Sequence, residues 1–163
     1  MYFLDEVSFI GKDIAEAHYG WRMFFDGAAN FTGVGIGAVL VSETGQHYSV
    51  SAKLRFPCTN NMAKYEACIM GLNLAINMNI RELLVISDSD LLVHQVQGEW
   101  ATKNTKILPY LYHVQELMKR FTKIEFKHVP RIQNEFADAL ATLSSMIQHP
   151  DKTFHRSHPD ENP

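Results

Sequence analysis

Trp21-Arg22-Met23-Phe24-Phe25-Asp26-Gly27 is a short aromatic run that closes on an aspartate and a glycine, the pattern of a strand delivering a carboxylate to its end. Reading outward, Gly33 to Val41 is a second strand, and the turn Ser42-Glu43-Thr44-Gly45 leads into a third, Gln46 to Leu54. Three strands on short connections predict an antiparallel meander. Asn60 to about Asn77 reads as a helix with Thr59 or Asn60 as N-cap. Leu83-Leu84-Val85-Ile86 is wholly apolar, as a strand buried on both faces requires, and it ends at Ser87-Asp88. A short helix over Leu91 to Gln97, a longer one over Pro109 to Phe121, a strand over Lys123 to Val129 and a closing helix over Asn134 to Met146 complete the body. The order β-β-β-α-β-α-α-β-α predicts an α/β domain: a mixed five-stranded sheet, antiparallel meander plus parallel strands, flanked by helices. Such sheets build their sites beyond the strand ends.

The 163 residues suffice for one domain with a real core, and 46% hydrophobic composition excludes a disordered chain. The body is expected over 21–147. Residues 1–20 read as a linker or incomplete lead-in. Residues 148–163, with Pro150, Pro159 and Pro163 among few large apolar residues, read as a disordered tail or linker. Their His149, His155 and His158 have no predicted fold to make them a metal site. No apolar run approaches the roughly 18 residues of a membrane span. No basic start precedes an apolar stretch, so an intracellular rather than secreted chain is expected, with no finer address. Cys58 and Cys68 are too few for a disulfide framework and read as buried free thiols in a reducing compartment.

The net charge of −3 does not advertise nucleic acid, but its distribution is uneven. Between Trp100 and Arg131, Lys103, Lys106, Lys119, Arg120, Lys123, Lys127 and Arg131 face only Glu116 and Glu125. That segment either steers a phosphate backbone or forms solvated helix faces. Two other patterns lead nowhere. Gly33-Val34-Gly35-Ile36-Gly37 resembles a phosphate loop but runs on into strand, and neither Ser87 nor Ser89 sits in a glycine-flanked nucleophile elbow.

Asp26 ends the first strand, Asp88 the fourth, and Asp138 lies early in the closing helix among Phe136, Ala137, Leu140 and Ala141. Converging carboxylates repel unless a cation lies between them, and hard divalent ions such as magnesium or manganese suit oxygen ligands. Paired ions of that kind support phosphodiester hydrolysis. Thr59-Asn60-Asn61-Met62-Ala63-Lys64-Tyr65-Glu66-Ala67 opens the first helix. At about 100° per residue, Glu66, Asn73 and Asn77 form a solvent stripe, while Lys64 falls on the side of Ala67, Cys68, Gly71 and Ala75. A lysine there is out of place. It stands at a site position with the wrong charge, and Glu66 points away from it.

These residues resemble type 1 ribonuclease H, most of all the ribonuclease H domains of plant gypsy-type LTR retrotransposon polyproteins. The resemblance rests on Phe25-Asp26-Gly27-Ala28, Thr59-Asn60-Asn61 with Ala63 and Tyr65, Asp88-Ser89, Val129-Pro130-Arg131, and Asn134 with Ala137-Asp138-Ala139-Leu140-Ala141. It covers 21–147 in order. It implies endonucleolytic cleavage of the RNA strand of RNA–DNA hybrids with two magnesium (or manganese) ions, with Asp26, Asp88 and Asp138 as catalytic metal ligands. The family's fourth acid, a glutamate three residues after the Asn-Asn pair, is Lys64 here, which predicts impaired hydrolysis. Gly27, Asn60, Asn61 and Arg131 match substrate-side positions, where 2′-hydroxyls distinguish RNA from DNA. Asp90 stands where glutamine is common, and His128, placed in a strand, is read as structural rather than as a proton shuttle. The implied partners are an RNA–DNA hybrid and a reverse transcriptase domain of the same polyprotein. Three readings follow: a working nuclease, which needs Glu66 or another group in place of the missing ligand; an impaired or inactive fold that still binds hybrids or packs against a reverse transcriptase; and a plain structural module. The charge reversal at Lys64 favours the second.

Overall fold

The computed structural model describes residues 20–30, 33–130, 146–147 and 153–157. The elements are β1 (Arg22–Asn30), β2 (Gly33–Val41), β3 (His47–Leu54), α1 (Asn60–Asn77), β4 (Glu82–Ser87), α2 (Asp90–Val96), α3 (Leu108–Met118), β5 (Lys123–His128) and β6 (Thr153–Ser157). They form one sheet in the order β5-β4-β1-β2-β3-β6. β1, β2 and β3 make the antiparallel meander, while β4 runs parallel to both β1 and β5. The predicted five-stranded mixed sheet is therefore present. β6 is an addition within the stretch whose composition predicts a tail: it pairs antiparallel with β3. The predicted closing helix lies outside the described residues, save for Met146 and Ile147 at its end.

The tight turn between β2 and β3 is fixed locally. Gly45 takes a φ of 89°, which favours glycine. The Ser42 hydroxyl accepts from the Gln46 amide at 3.0 Å. Alternation along the strands splits the core between two faces. Met23, Phe25, Leu83 and Val85 pack with Ala67, Cys68 and Leu72 of α1. Phe24, Val39, Leu84 and Ile86 pack on the other face with Val129 and Met146. β1 and β4 are buried on both sides, which is why they read as continuous apolar runs. Each large side chain so buried contributes about 1.5–3 kcal/mol.

α1 begins where Thr59 Oγ1 accepts from the Met62 amide at 3.1 Å, which settles the N-cap on Thr59. It can lie close to the sheet because Gly71 faces Ala38 and Met23. A Cβ there would meet both at 2.8 Å. Buried Tyr65 ties α1 to α2 by donating to Gln95 Oε1 at 2.8 Å. Burial pushes the Tyr65 phenol pKa well up, so it remains a neutral donor. Tyr65→Phe keeps the ring but leaves buried Gln95 without this donor. The expected loss is about 1–3 kcal/mol, read as a shift of the urea midpoint at unchanged slope.

Glu66 departs from expectation. It is half-buried rather than on the solvent stripe, and its Oε2 accepts from Tyr110 of α3 at 2.6 Å. Asn73 and Asn77 are exposed as the periodicity predicts. The difference is one of tertiary contact: a helical period cannot foresee that α3 covers one side of the stripe.

Candidate nucleic-acid and metal site at the ends of β1 and β4

The parallel register pairs Arg22 with Leu84, Met23 with Val85 and Phe24 with Ile86. Asp26 and Asp88 each stand two residues beyond that last pair, on neighbouring strands. Asp26 remains within β1, opposite Gly37 of β2, whereas Asp88 lies in the bend after β4 and is exposed. Both carboxylates thus come to the sheet end that the sequence assigns them. Asp138 and Arg131 lie outside the described residues.

α1 presents its first turn to the same end. Gly27 is the point of closest approach, since a Cβ on it would lie 2.6 Å from the Ala63 carbonyl oxygen. The next residue, Lys64, sends its ammonium onto Asp26: Nζ donates to Oδ1 at 2.5 Å. The same oxygen accepts from the Gly27 amide at 2.8 Å. The two side chains are 26% and 34% exposed, so the pair is partly shielded from water but not sealed off. Lys64 is therefore not a surface charge that happens to fall near the site. It is the counter-ion of the first-strand aspartate.

Asn60 has a structural task as well as its expected substrate-side place. Its Oδ1 accepts from the Ala29 amide at 2.9 Å, which clamps the start of α1 to β1. Its amide nitrogen remains the group that could donate to a ligand. Asn61 is half-buried beside it.

Asp90 is not the bare rim acid that its position suggests. Its Oδ1 lies 2.8 Å from His94 Nδ1 and 3.3 Å from His128 Nδ1. His94 Nε2 lies 3.4 Å from Glu99, and its ring stacks on Trp100 with centroids 4.1 Å apart. His128 thus ties the end of β5 to the start of α2, in keeping with a structural reading. The pairing of Asp90 with His94 was legible as an i,i+4 spacing. Its extension to Glu99 and Trp100 depends on the turn after α2, where both backbone amides bond to the His94 carbonyl.

Residues 24–144 match the family model described as reverse transcriptase-like. The fold also superposes on the crystal structure of RNase H1 from Halobacterium salinarum NRC-1 with a TM-score of 0.69, at 29% identity, over 80% of this chain and 98% of that one. The chain belongs to the ribonuclease H-like family. LC11-RNase H1, solved in complex with an RNA/DNA hybrid, matches at 30% identity and a TM-score of 0.64, covering 79% of this chain and 97% of that one. In sequence, the bifunctional protein Rv2228c of Mycobacterium tuberculosis is 36% identical over 110 residues, 66% of this chain. The match spans 30% of that relative's length, so it carries the likeness of one domain.

Proposed function

We propose that this ribonuclease H-like chain binds RNA–DNA hybrids while its hydrolysis of the RNA strand is strongly impaired by Lys64. One observation carries the reading: the Lys64 ammonium sits on Asp26, the carboxylate that the family resemblance assigns to metal binding. An ammonium in contact with Asp26 is a poor fit to a divalent ion on the same carboxylate. The positive charge at Asp26 is already supplied by the chain, through the Lys64 ammonium. Glu66 is no substitute ligand, because its carboxylate is engaged by Tyr110 on α3. By resemblance, Asp88 and Asp138 complete the acidic set of an active relative, with magnesium or manganese as the ions. In the same reading the chain is a ribonuclease H domain of a plant gypsy-type retroelement polyprotein, beside a reverse transcriptase domain.

Hybrid binding is supported by the substrate-side positions that the family resemblance assigns to Gly27, Asn60 and Asn61, and by the basic segment from Lys103 to Arg131. The test uses a labelled RNA–DNA hybrid with magnesium or manganese. The wild type is expected to bind it with an affinity that falls as salt rises, and to cut it far more slowly than Lys64→Glu. Cutting as fast as the variant would overturn the impairment. Absence of salt-dependent binding would leave a structural domain instead.

A further inference from the structure

We propose that the outer edge of β3 is a strand-acceptor site, that residues 153–157 are its intramolecular occupant, and that this cap keeps β3 from pairing with a second copy of the chain. The pairing is in continuous register: His47 opposite Ser157, Tyr48 opposite Arg156, Ser49 opposite His155, Val50 opposite Phe154 and Ser51 opposite Thr153. Without β6, β3 would be the rim of the sheet.

β3 is poorly suited to be a rim. An open edge presents a row of unpaired amides and carbonyls, and edge strands are kept from self-pairing by shortness, proline, bulges or charge. β3 is eight residues long, contains no proline, and has no Lys, Arg, Asp or Glu from His47 to Ala52. The strands that do form the two rims differ from it. β5 carries a charge at every second position, Lys123, Glu125 and Lys127. β6 has only five residues, includes Arg156, and is flanked in sequence by Pro150 and Pro159. The devices that blunt an edge are thus found on β5 and β6 and are missing from the stretch of β3 that β6 covers; the exposed Lys53 lies beyond it. Within the paired stretch of β3, Ser49 and Ser51 are buried, at 2% and 1% exposed, while His47, Tyr48 and Val50 are half-buried. A strand of this composition fits an interior position, and β6 is what makes it interior.

The occupant that would replace β6 is the β3 edge of another copy. An edge strand with no charge along the stretch that β6 now covers can pair antiparallel with its own copy about a two-fold axis. The test is the full chain carrying Phe154→Pro and His155→Pro together. Along a strand, alternate amides point to opposite sides, so one of any two adjacent residues directs its N–H towards β3. Deuterium exchange over residues 47–54 and light scattering are read side by side. Wild type is expected to be monomeric with β3 protected. The double variant should exchange at β3 at least about tenfold faster and form a dimer, with β1 still protected. A synthetic peptide of residues 151–159 added to the variant should restore both protection and the monomer. Unchanged exchange at β3, a variant that stays monomeric, or a wild type that is itself a dimer would each overturn the proposal. So would loss of protection in β1, since a cap on one rim is not needed by the sheet's centre.

Discussion

Lys64→Glu is expected to melt below the wild type in the presence of a chelator and to recover that loss when magnesium is added, while the wild type barely responds to the ion. The lysine ammonium now contacts Asp26, and the exchange turns attraction into repulsion between neighbouring carboxylates. Two unit charges 4 Å apart interact by about 4 kcal/mol at an effective dielectric constant of 20 and by about 1 kcal/mol in water. With the pair a quarter to a third exposed, solvent screening brings the net effect to about 1–2 kcal/mol. At roughly 2–4 °C per kcal/mol for a domain of this size, the melting point should fall by roughly 2–8 °C. A cation that binds only the folded site reverses such a loss by mass action. Cleavage of a labelled hybrid should rise by about a hundredfold, which corresponds to roughly 3 kcal/mol of barrier. Lys64→Met is the control for charge alone: it frees Asp26 without adding a carboxylate, so it should gain little cleavage. Equal magnesium-dependent stabilisation of wild type and Lys64→Glu would show that the lysine does not take the ion's place.

Much of this site could be read from residue order. The aromatic run into Asp26 and the apolar run into Asp88 read as strands buried on both faces, and the fold adds that they are parallel neighbours. Helical periodicity placed Lys64 on the sheet side, and its contact with Asp26 agrees. Contacts set by the third dimension were less legible. Glu66 lies on the predicted outer stripe, but α3 covers it there. Asp90 looked like an extra rim charge until His128, 38 residues away in sequence, came to lie beside it at the end of β5. β6 was hidden for a different reason. A five-residue strand with little apolar content has almost no local signal, and its partner β3 supplies what specifies it. Asp138, a residue of the predicted acidic set, lies outside the described residues.

Gly27→Ala should be among the most damaging single-methyl additions to the chain, and it should act on stability and on the site together. The new Cβ would lie 2.6 Å from the Ala63 carbonyl oxygen, 2.7 Å from its carbonyl carbon and 3.0 Å from its Cβ. Two of those three atoms are backbone in the first turn of α1, so no rotamer change relieves the clash. Gly71→Ala offers a partial contrast: of its 2.8 Å contacts, the flexible end of Met23 can yield while the Cβ of Ala38 cannot. Overpacking typically costs 1–3 kcal/mol, and a backbone obstacle places Gly27→Ala at about 3 kcal/mol. The melting point should fall by roughly 6–12 °C. Because Lys64 directly follows Ala63, and Asn60 clamps the same turn to Ala29, a retreat of α1 also pulls the ammonium from Asp26. Adding Ala63→Gly provides the sharper test. It removes only the farthest of the three contacts and introduces a helical glycine that itself costs about 1 kcal/mol. The double variant should therefore be no more stable than Gly27→Ala. Recovery by Ala63→Gly would mean that side-chain crowding, rather than backbone approach, requires glycine at position 27.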